Sequence, residues 1–104
     1  MAEQYQIRSR AEWERMVRDW GFGNVFIWTD GSNAYYPSHT HSGLTTHLIR
    51  RGTLTITYPE DNTSLHHGEV KKERSGPGAR IDVPAGKLHG VWIGSEGCEY
   101  IVGE

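Results

Sequence analysis

The sequence predicts an all-β domain, a small sandwich or barrel of seven or eight short strands with one helix ahead of it. Three observations predict it. Past Gly23 the segments alternate or are rich in β-branched and aromatic residues. Turn residues (Gly, Pro, Asn, Asp) recur at short intervals between them. Helical periodicity is confined to one early stretch, so a βαβ plan is excluded. With 104 residues and no internal repeat or linker, residues 1–104 read as one domain, the helix over about 9–20 and the β-structure over about 24–103.

The helix rests on local signals. Ser9 and Glu12 have capping-box spacing, and Trp13, Met16, Val17 and Trp20 follow at i, i+3, i+4, i+7. Such a stripe predicts a docking helix covering one end of a sheet, and Gly21 and Gly23 stop it.

The strands follow in order. Val25–Thr29 is β-rich and ends in the turn Asp30-Gly31-Ser32-Asn33. Tyr35 to His41 alternates, with Tyr35, Pro37, His39 and His41 on one parity. Thr45–Ile49 is a strand, after which Arg50-Arg51-Gly52 is expected to turn the chain. Leu54, Ile56 and Tyr58 alternate with Thr53, Thr55 and Thr57, the pattern of a half-buried antiparallel strand, and Pro59 to Asn62 turns again. Residues 60–78 are polar and Gly/Pro-punctuated, predicting a surface excursion in which His66 and His67 are solvated. Its Lys71-Lys72-Glu73-Arg74 run reads as a charged edge that blocks strand pairing. Ile81 and Val83 precede the tight turn Pro84-Ala85-Gly86, and Val91–Ile93 and Glu99–Val102 complete the set.

Composition narrows the function. Eleven basic and thirteen acidic residues leave a formal charge of −2, with no basic footprint for nucleic acid. No run approaches the length of a membrane span, and Met1 to Arg10 lacks the apolar core of a signal peptide, so a soluble cytoplasmic protein is expected. The single Cys98 excludes an internal disulfide and any multi-cysteine metal site, and no nucleophile, phosphate-loop or dinucleotide motif is present. Four Trp and five Tyr supply the bulk that sparse aliphatics do not. Six histidines stand against that one cysteine.

His39 and His41, at i and i+2, leave the same face of a strand. They read either as a solvated pair or as two imidazoles converging on one volume, a donor set suited to several divalent metals. His89, just beyond the Pro84-Ala85-Gly86 turn, is the third candidate. Gly78, Pro84, Gly86 and His89, with five, one and two residues between them, match the second motif of the cupin superfamily. His39-Thr40-His41 followed by Gly52 resembles its first motif, 25 residues separate the two, and the resemblance covers about 33–101.

The resemblance implies a small jelly-roll β-barrel, the fold of a monocupin, with a metal inside. Its ligands would be His39, His41 and His89, and the metal Fe, Ni, Mn, Zn or Cu. Three positions depart from the family pattern: Thr45 stands where a ligand Glu is expected, Asn33 replaces a Gly and Ile93 an Asn. His47 shares the parity of Thr45. It is a fourth ligand, a catalytic acid–base group beside the metal, or a core histidine. Trp28, Tyr35, Tyr36, Thr45 and Tyr100 are the candidate walls of the pocket. The implied function is a metal-dependent enzyme of oxygenase or lyase/isomerase type acting on a small polar molecule. The alternatives are a non-catalytic metal- or metabolite-binding module, or a metal-free cupin using its histidines as acid and base. A homodimer is expected, with Trp92, on the opposite parity from His89, as an outward anchor.

Overall fold

The computed structural model describes residues 8–61 and 71–104. The expectations for Met1 to Ile7 and for His66 and His67 lie outside the described residues.

Helix α1 (Arg10–Asp19) is closed at its start by the expected reciprocal cap. Ser9 Oγ accepts the Glu12 N–H at 3.2 Å, and Glu12 Oε1 accepts the Ser9 N–H at 3.1 Å. Its stripe buries Trp13 and Val17 against Phe22, Val25, Leu48 and Ile101, with Met16 and Trp20 packed at the margin. The Arg80 guanidinium lies over the Trp20 ring, 4.1 Å from its centroid.

Among the described residues six strands follow: β1 (Val25–Asp30), β2 (Tyr35–His39), β3 (Thr45–Tyr58), β4 (Lys71–Ser75), β5 (Arg80–Val83) and β6 (His89–Gly103). All pairings are antiparallel, in the order β1-β6-β3-β4, with β2 also on β6 and β5 also on β3. The architecture is all-β, and the described residues form fewer and longer strands than the seven or eight expected for the chain. Arg50-Arg51-Gly52 does not turn the chain; β3 runs through it with register shifts between Ile49 and Arg51 and between Gly52 and Leu54. Likewise Val91–Ile93 and Glu99–Val102 belong to the single strand β6. The charged run 71–74 pairs with β3 rather than blocking pairing, Lys72 opposite Thr57 and Arg74 opposite Thr55. The excursion therefore ends by residue 71, and Gly78 and Ala79 are already tied to Ile49 by hydrogen bonds of 2.8 and 3.0 Å.

These bulges bend the sheet over on itself. Gly52 and Gly97 sit where β3 and β6 bend, at φ +75° and +78°. A Cβ on Gly52 would lie 2.0 Å from the Gly97 carbonyl oxygen, and one on Gly97 would lie 2.7 Å from that of Asp30. Three backbones meet there at a spacing that only glycine permits. The bend brings the first half of β6, paired with β2, to face the second half, paired with β1. Ile49, Tyr100 and Val102 enter the interior cluster with Leu54, Ile56, Val83, Val91 and Ile93. Their neighbours Leu48 and Ile101 point outward under α1, which covers the outer face of the sheet rather than its end.

Candidate metal centre

Two connections bring three histidines together. β2 ends at His39, which pairs with His89 at the start of β6, and their ring centroids lie 4.5 Å apart. His41 lies past the end of β2, where its carbonyl accepts the Gly86 N–H at 2.9 Å. The Pro84–Lys87 turn, closed by a 3.2 Å hydrogen bond and with Gly86 at φ +73°, thus fastens one histidine loop to the other. The ring of His41 lies 4.9 Å from that of His39 and 5.1 Å from that of His89.

The set fits a metal ion. One ligand nitrogen from each of His39, His41 and His89 lies within 4.8 Å of the other two. Three nitrogens on one ion at about 2.1 Å stand about 3.0–3.6 Å apart, so inward ring movements of up to about 1 Å close the set. The rings are also oriented as ligands. His39 Nδ1 meets the Pro37 carbonyl at 2.8 Å and His89 Nδ1 the Lys87 carbonyl at 2.9 Å. Only an N–H satisfies a carbonyl, so each Nε2 keeps its lone pair. His89 is almost fully buried, and burial first, then the two neighbouring imidazoles, hold it below the usual histidine pKa. The neutral form is the ligating one.

A cavity of about 270 Å³ opens on this triad. His47 lines it but falls outside the group of three. Burial, followed by the proximity of His89, lowers its pKa to about 4, and its Nδ1 is buried without a hydrogen-bond partner. The ring therefore faces the cavity as a neutral imidazole, 5.6 Å from the ring of Tyr100.

Trp28, Tyr36 and Tyr100 line the cavity, joined by Phe26, Val91, Val102 and Glu104. Tyr35 does not. The register shifts by one residue between Tyr36 and His39, which puts Tyr36 on the histidine side and leaves Tyr35 outside, half exposed and stacked on Trp92 at 4.0 Å. Strict alternation fails because Pro37 lies in the bulge, where a missing N–H is tolerated. Thr45 also lies elsewhere, in an adjoining cavity with Leu44, His41 and Glu104, its buried Oγ1 unpartnered.

The sequence reading missed Asp30. It was assigned to a turn, but it ends β1 and is only 8% exposed. Its Oδ1 accepts the Trp28 indole N–H at 3.0 Å and the Tyr36 hydroxyl, and its Oδ2 accepts the Tyr100 hydroxyl at 2.6 Å. Both phenols are held above their usual pKa, Tyr36 chiefly by this hydrogen bond and Tyr100 chiefly by burial. The available signal was parity: Phe26, Trp28 and Asp30 share one face of β1. Cys98, opposite Asp30 on β6, is buried, and its thiol is pushed up to about 12, chiefly by that burial. It is not an activated nucleophile.

A bent antiparallel barrel with histidines converging inside it defines a class of small β-barrels with a candidate metal site at the mouth of an internal cavity. Within that class the chain has the cupin fold. No protein-family model and no curated protein matches the sequence. Among solved structures it is similar to the oxalate decarboxylase of Bacillus subtilis, with a TM-score of 0.62 and 18% identity over 75% of this chain and 19% of that one. It is similar to the polyketide cyclase RemF of Streptomyces resistomycificus, with a TM-score of 0.61 and 23% identity over 75% of this chain and 50% of that one. It is also similar to the DMSP lyase DddQ of Ruegeria pomeroyi, with a TM-score of 0.59 and 19% identity over 75% and 35% of the two chains. This chain thus spans between about one fifth and one half of these structures. Among the described residues no helix is long and apolar enough to cross a membrane.

Proposed function

We propose that the chain is a metal-dependent enzyme of lyase or isomerase type. It holds one divalent transition-metal ion through His39, His41 and His89 and acts on a small polar organic molecule in the cavity they share. The observation that carries the proposal is the triad itself: three donor nitrogens within 4.8 Å, two of them fixed as lone-pair bearers by backbone carbonyls. The names of the similar structures, a decarboxylase, a cyclase and a lyase, support bond-breaking or rearranging chemistry over oxygenation. The oxalate decarboxylase has Mn(II) centres, which puts manganese first among the metals to try.

When bound, the ion supplies Lewis acidity toward a carboxylate or carbonyl oxygen. The chain's own residues do the rest. His47, neutral and lining the cavity, takes or returns a proton beside the substrate. Phe26, Val91 and Val102 exclude water along the cavity wall. Tyr36 and Tyr100, anchored on Asp30, keep their rings fixed in the lining.

Metal analysis tests the proposal. Untagged protein loaded with manganese, iron, nickel or zinc is expected to retain about one equivalent of at least one of them. His41→Ala and His89→Ala are expected to retain none while keeping the wild-type circular dichroism. Less than about a tenth of an equivalent in every trial overturns the ligand assignment, as does a folded double variant with stoichiometric metal. The proposed homodimer uses the Trp92–Tyr35 stack, two rings about half exposed. Sedimentation is expected to show a dimer that Trp92→Ser dissociates, and a wild-type monomer at high concentration refutes it.

A further inference from the structure

Two of the three candidate ligands are oriented by the same local device, a hydrogen bond from the ring Nδ1–H to the carbonyl two residues earlier. For His39 that carbonyl belongs to Pro37, whose ring fixes φ and stiffens the backbone. For His89 it belongs to Lys87, which has no such constraint and follows Gly86 at φ +73°. Something else has to hold the second carbonyl in place.

The Lys87 side chain is placed to do so. Its Nζ donates to Asp61 Oδ1 and lies 5.5 Å from the centroid of the Tyr58 ring. Both partners are themselves fixed: Tyr58 ends β3 and is buried, and the Asp61 N–H donates to the Tyr58 carbonyl at 3.0 Å. Lys71 also stands 5.5 Å from that centroid but makes its ion pair with Glu73, at 3.3 Å. The Lys87 ammonium therefore ties the turn before β6 to the far end of β3. The Lys87 N–H closes the same turn on the Pro84 carbonyl at 3.2 Å. With its nitrogen and its side chain both held, the residue keeps its carbonyl on His89 Nδ1, at 2.9 Å. Its charge has no use at the centre, since an ammonium near a dication opposes loading. The lysine is explained by what it holds.

We infer that Lys87 is a positioning residue for His89: its ammonium, gripped by Asp61 and Tyr58, fixes the carbonyl that keeps the His89 proton on Nδ1 and leaves the Nε2 lone pair free for a metal. The orientation of the ring stands on the turn alone. Its use by a metal rests on the centre proposed above.

One readout needs no metal. Long-range proton–nitrogen NMR of the metal-free protein at about pH 8, where imidazoles are neutral, reports the tautomer of each histidine. In wild type both His39 and His89 are expected to carry the proton on Nδ1. Lys87→Met, which keeps the apolar stem, is expected to shift the His89 ratio toward Nε2–H by about threefold, the scale of a solvent-accessible ion pair. His39 is expected to stay unchanged, and Lys87→Arg to restore the wild-type pattern. Asp61→Asn, which leaves Lys87 intact, is expected to shift His89 in the same direction. An unmoved His89 in both variants overturns the inference. So does an equal shift of His39, because a general loosening would reach both rings.

Manganese titration is the second readout. Lys87→Met is expected to weaken affinity about threefold, short of the roughly 10- to 100-fold typical of losing a direct ring partner. Charge alone predicts the opposite sign, because removing the ammonium relieves repulsion. Unchanged or tighter affinity therefore overturns the role of Lys87 at the metal. Wild-type protein that binds no manganese, iron, nickel or zinc refutes the metal centre instead, and the tautomer result still decides whether Lys87 orients His89.

Discussion

Acidification of the metal-stripped protein isolates the burial of His47. In the unfolded chain the imidazole titrates near 6.5, whereas in the folded cavity burial lowers it to about 4. The unfolded state therefore takes up the proton first, and stability falls as pH drops through 6.5 and levels off below 4. A difference of about 2.5 units at about 1.36 kcal/mol each sets the loss at about 3 kcal/mol. His89, lowered by the same cause, acts in the same direction. Glu12 is held below its usual value by its hydrogen bond with the Ser9 backbone, Asp61 by that from Lys87 and Asp82 by that from Arg80. These carboxylates start to lose their contributions only near pH 4.5 and below, and they do so equally in wild type and variant apart from the His47–Asp82 attraction. The assay is urea unfolding at pH 7, 5.5 and 4.5, comparing wild type with His47→Gln. At roughly 1.5 kcal/mol per molar urea, the wild-type midpoint is expected to fall by about 2 M. The variant is expected to fall by much less, retaining only the His89 share. Parallel midpoints across this range would refute the reasoning, because the His47 ring would then be titrating as it does in water.

Two packing predictions follow. Trp13 is fully buried between α1 and the outer face of the sheet, so Trp13→Ala is expected to cost about 3–5 kcal/mol in chemical denaturation, and a loss under about 1.5 kcal/mol would show that α1 is not anchored there. Gly97→Ala meets the Asp30 carbonyl at 2.7 Å from a positive φ and is expected to lose about 1–3 kcal/mol, with a wild-type thermal midpoint counting against the three-backbone corner.

The features readable in the sequence were those set by local chemistry. The Ser9–Glu12 box and the Trp13–Val17 stripe need only neighbours within a turn or two, and both formed as expected. The bends of β3 and β6 were not readable, because Arg50-Arg51-Gly52 has the composition of a turn. It becomes a bulge only because Gly97, 45 positions away, lies against Gly52. Lys71 to Arg74 misled for a related reason: charges suit an edge strand, and β4 is one, paired among the described residues to β3 alone. At the site, the convergence of His39, His41 and His89 was legible from their spacing and the two-motif resemblance. The exchange of Tyr36 for Tyr35 was not, since a one-residue bulge reverses every parity before it. Asp30 was hidden by its residue type, which favours turns so strongly that burial was not considered.

Thr45, where the motif resemblance expects a ligand Glu, brings no negative charge to the triad. The three candidate ligands are imidazoles, which bring no negative charge to an ion, His47 is neutral beside them, and the Asp30 carboxylate is taken up by Trp28, Tyr36 and Tyr100. A dication at this centre therefore keeps its full charge in a cavity partly shielded from water, and the missing negative charge must come from the ligand. Metal and carboxylate binding are then thermodynamically coupled, each tightening the other by the same factor. Titrating manganese into wild-type protein is expected to give an affinity that rises about 5- to 100-fold with a saturating monocarboxylate such as acetate, the usual range of such couplings. Chloride at equal ionic strength separates this effect from screening. A manganese affinity indifferent to acetate would mean that the protein itself neutralises the ion, and Glu104, the carboxylate in the cavity lining, would then be the side chain to replace.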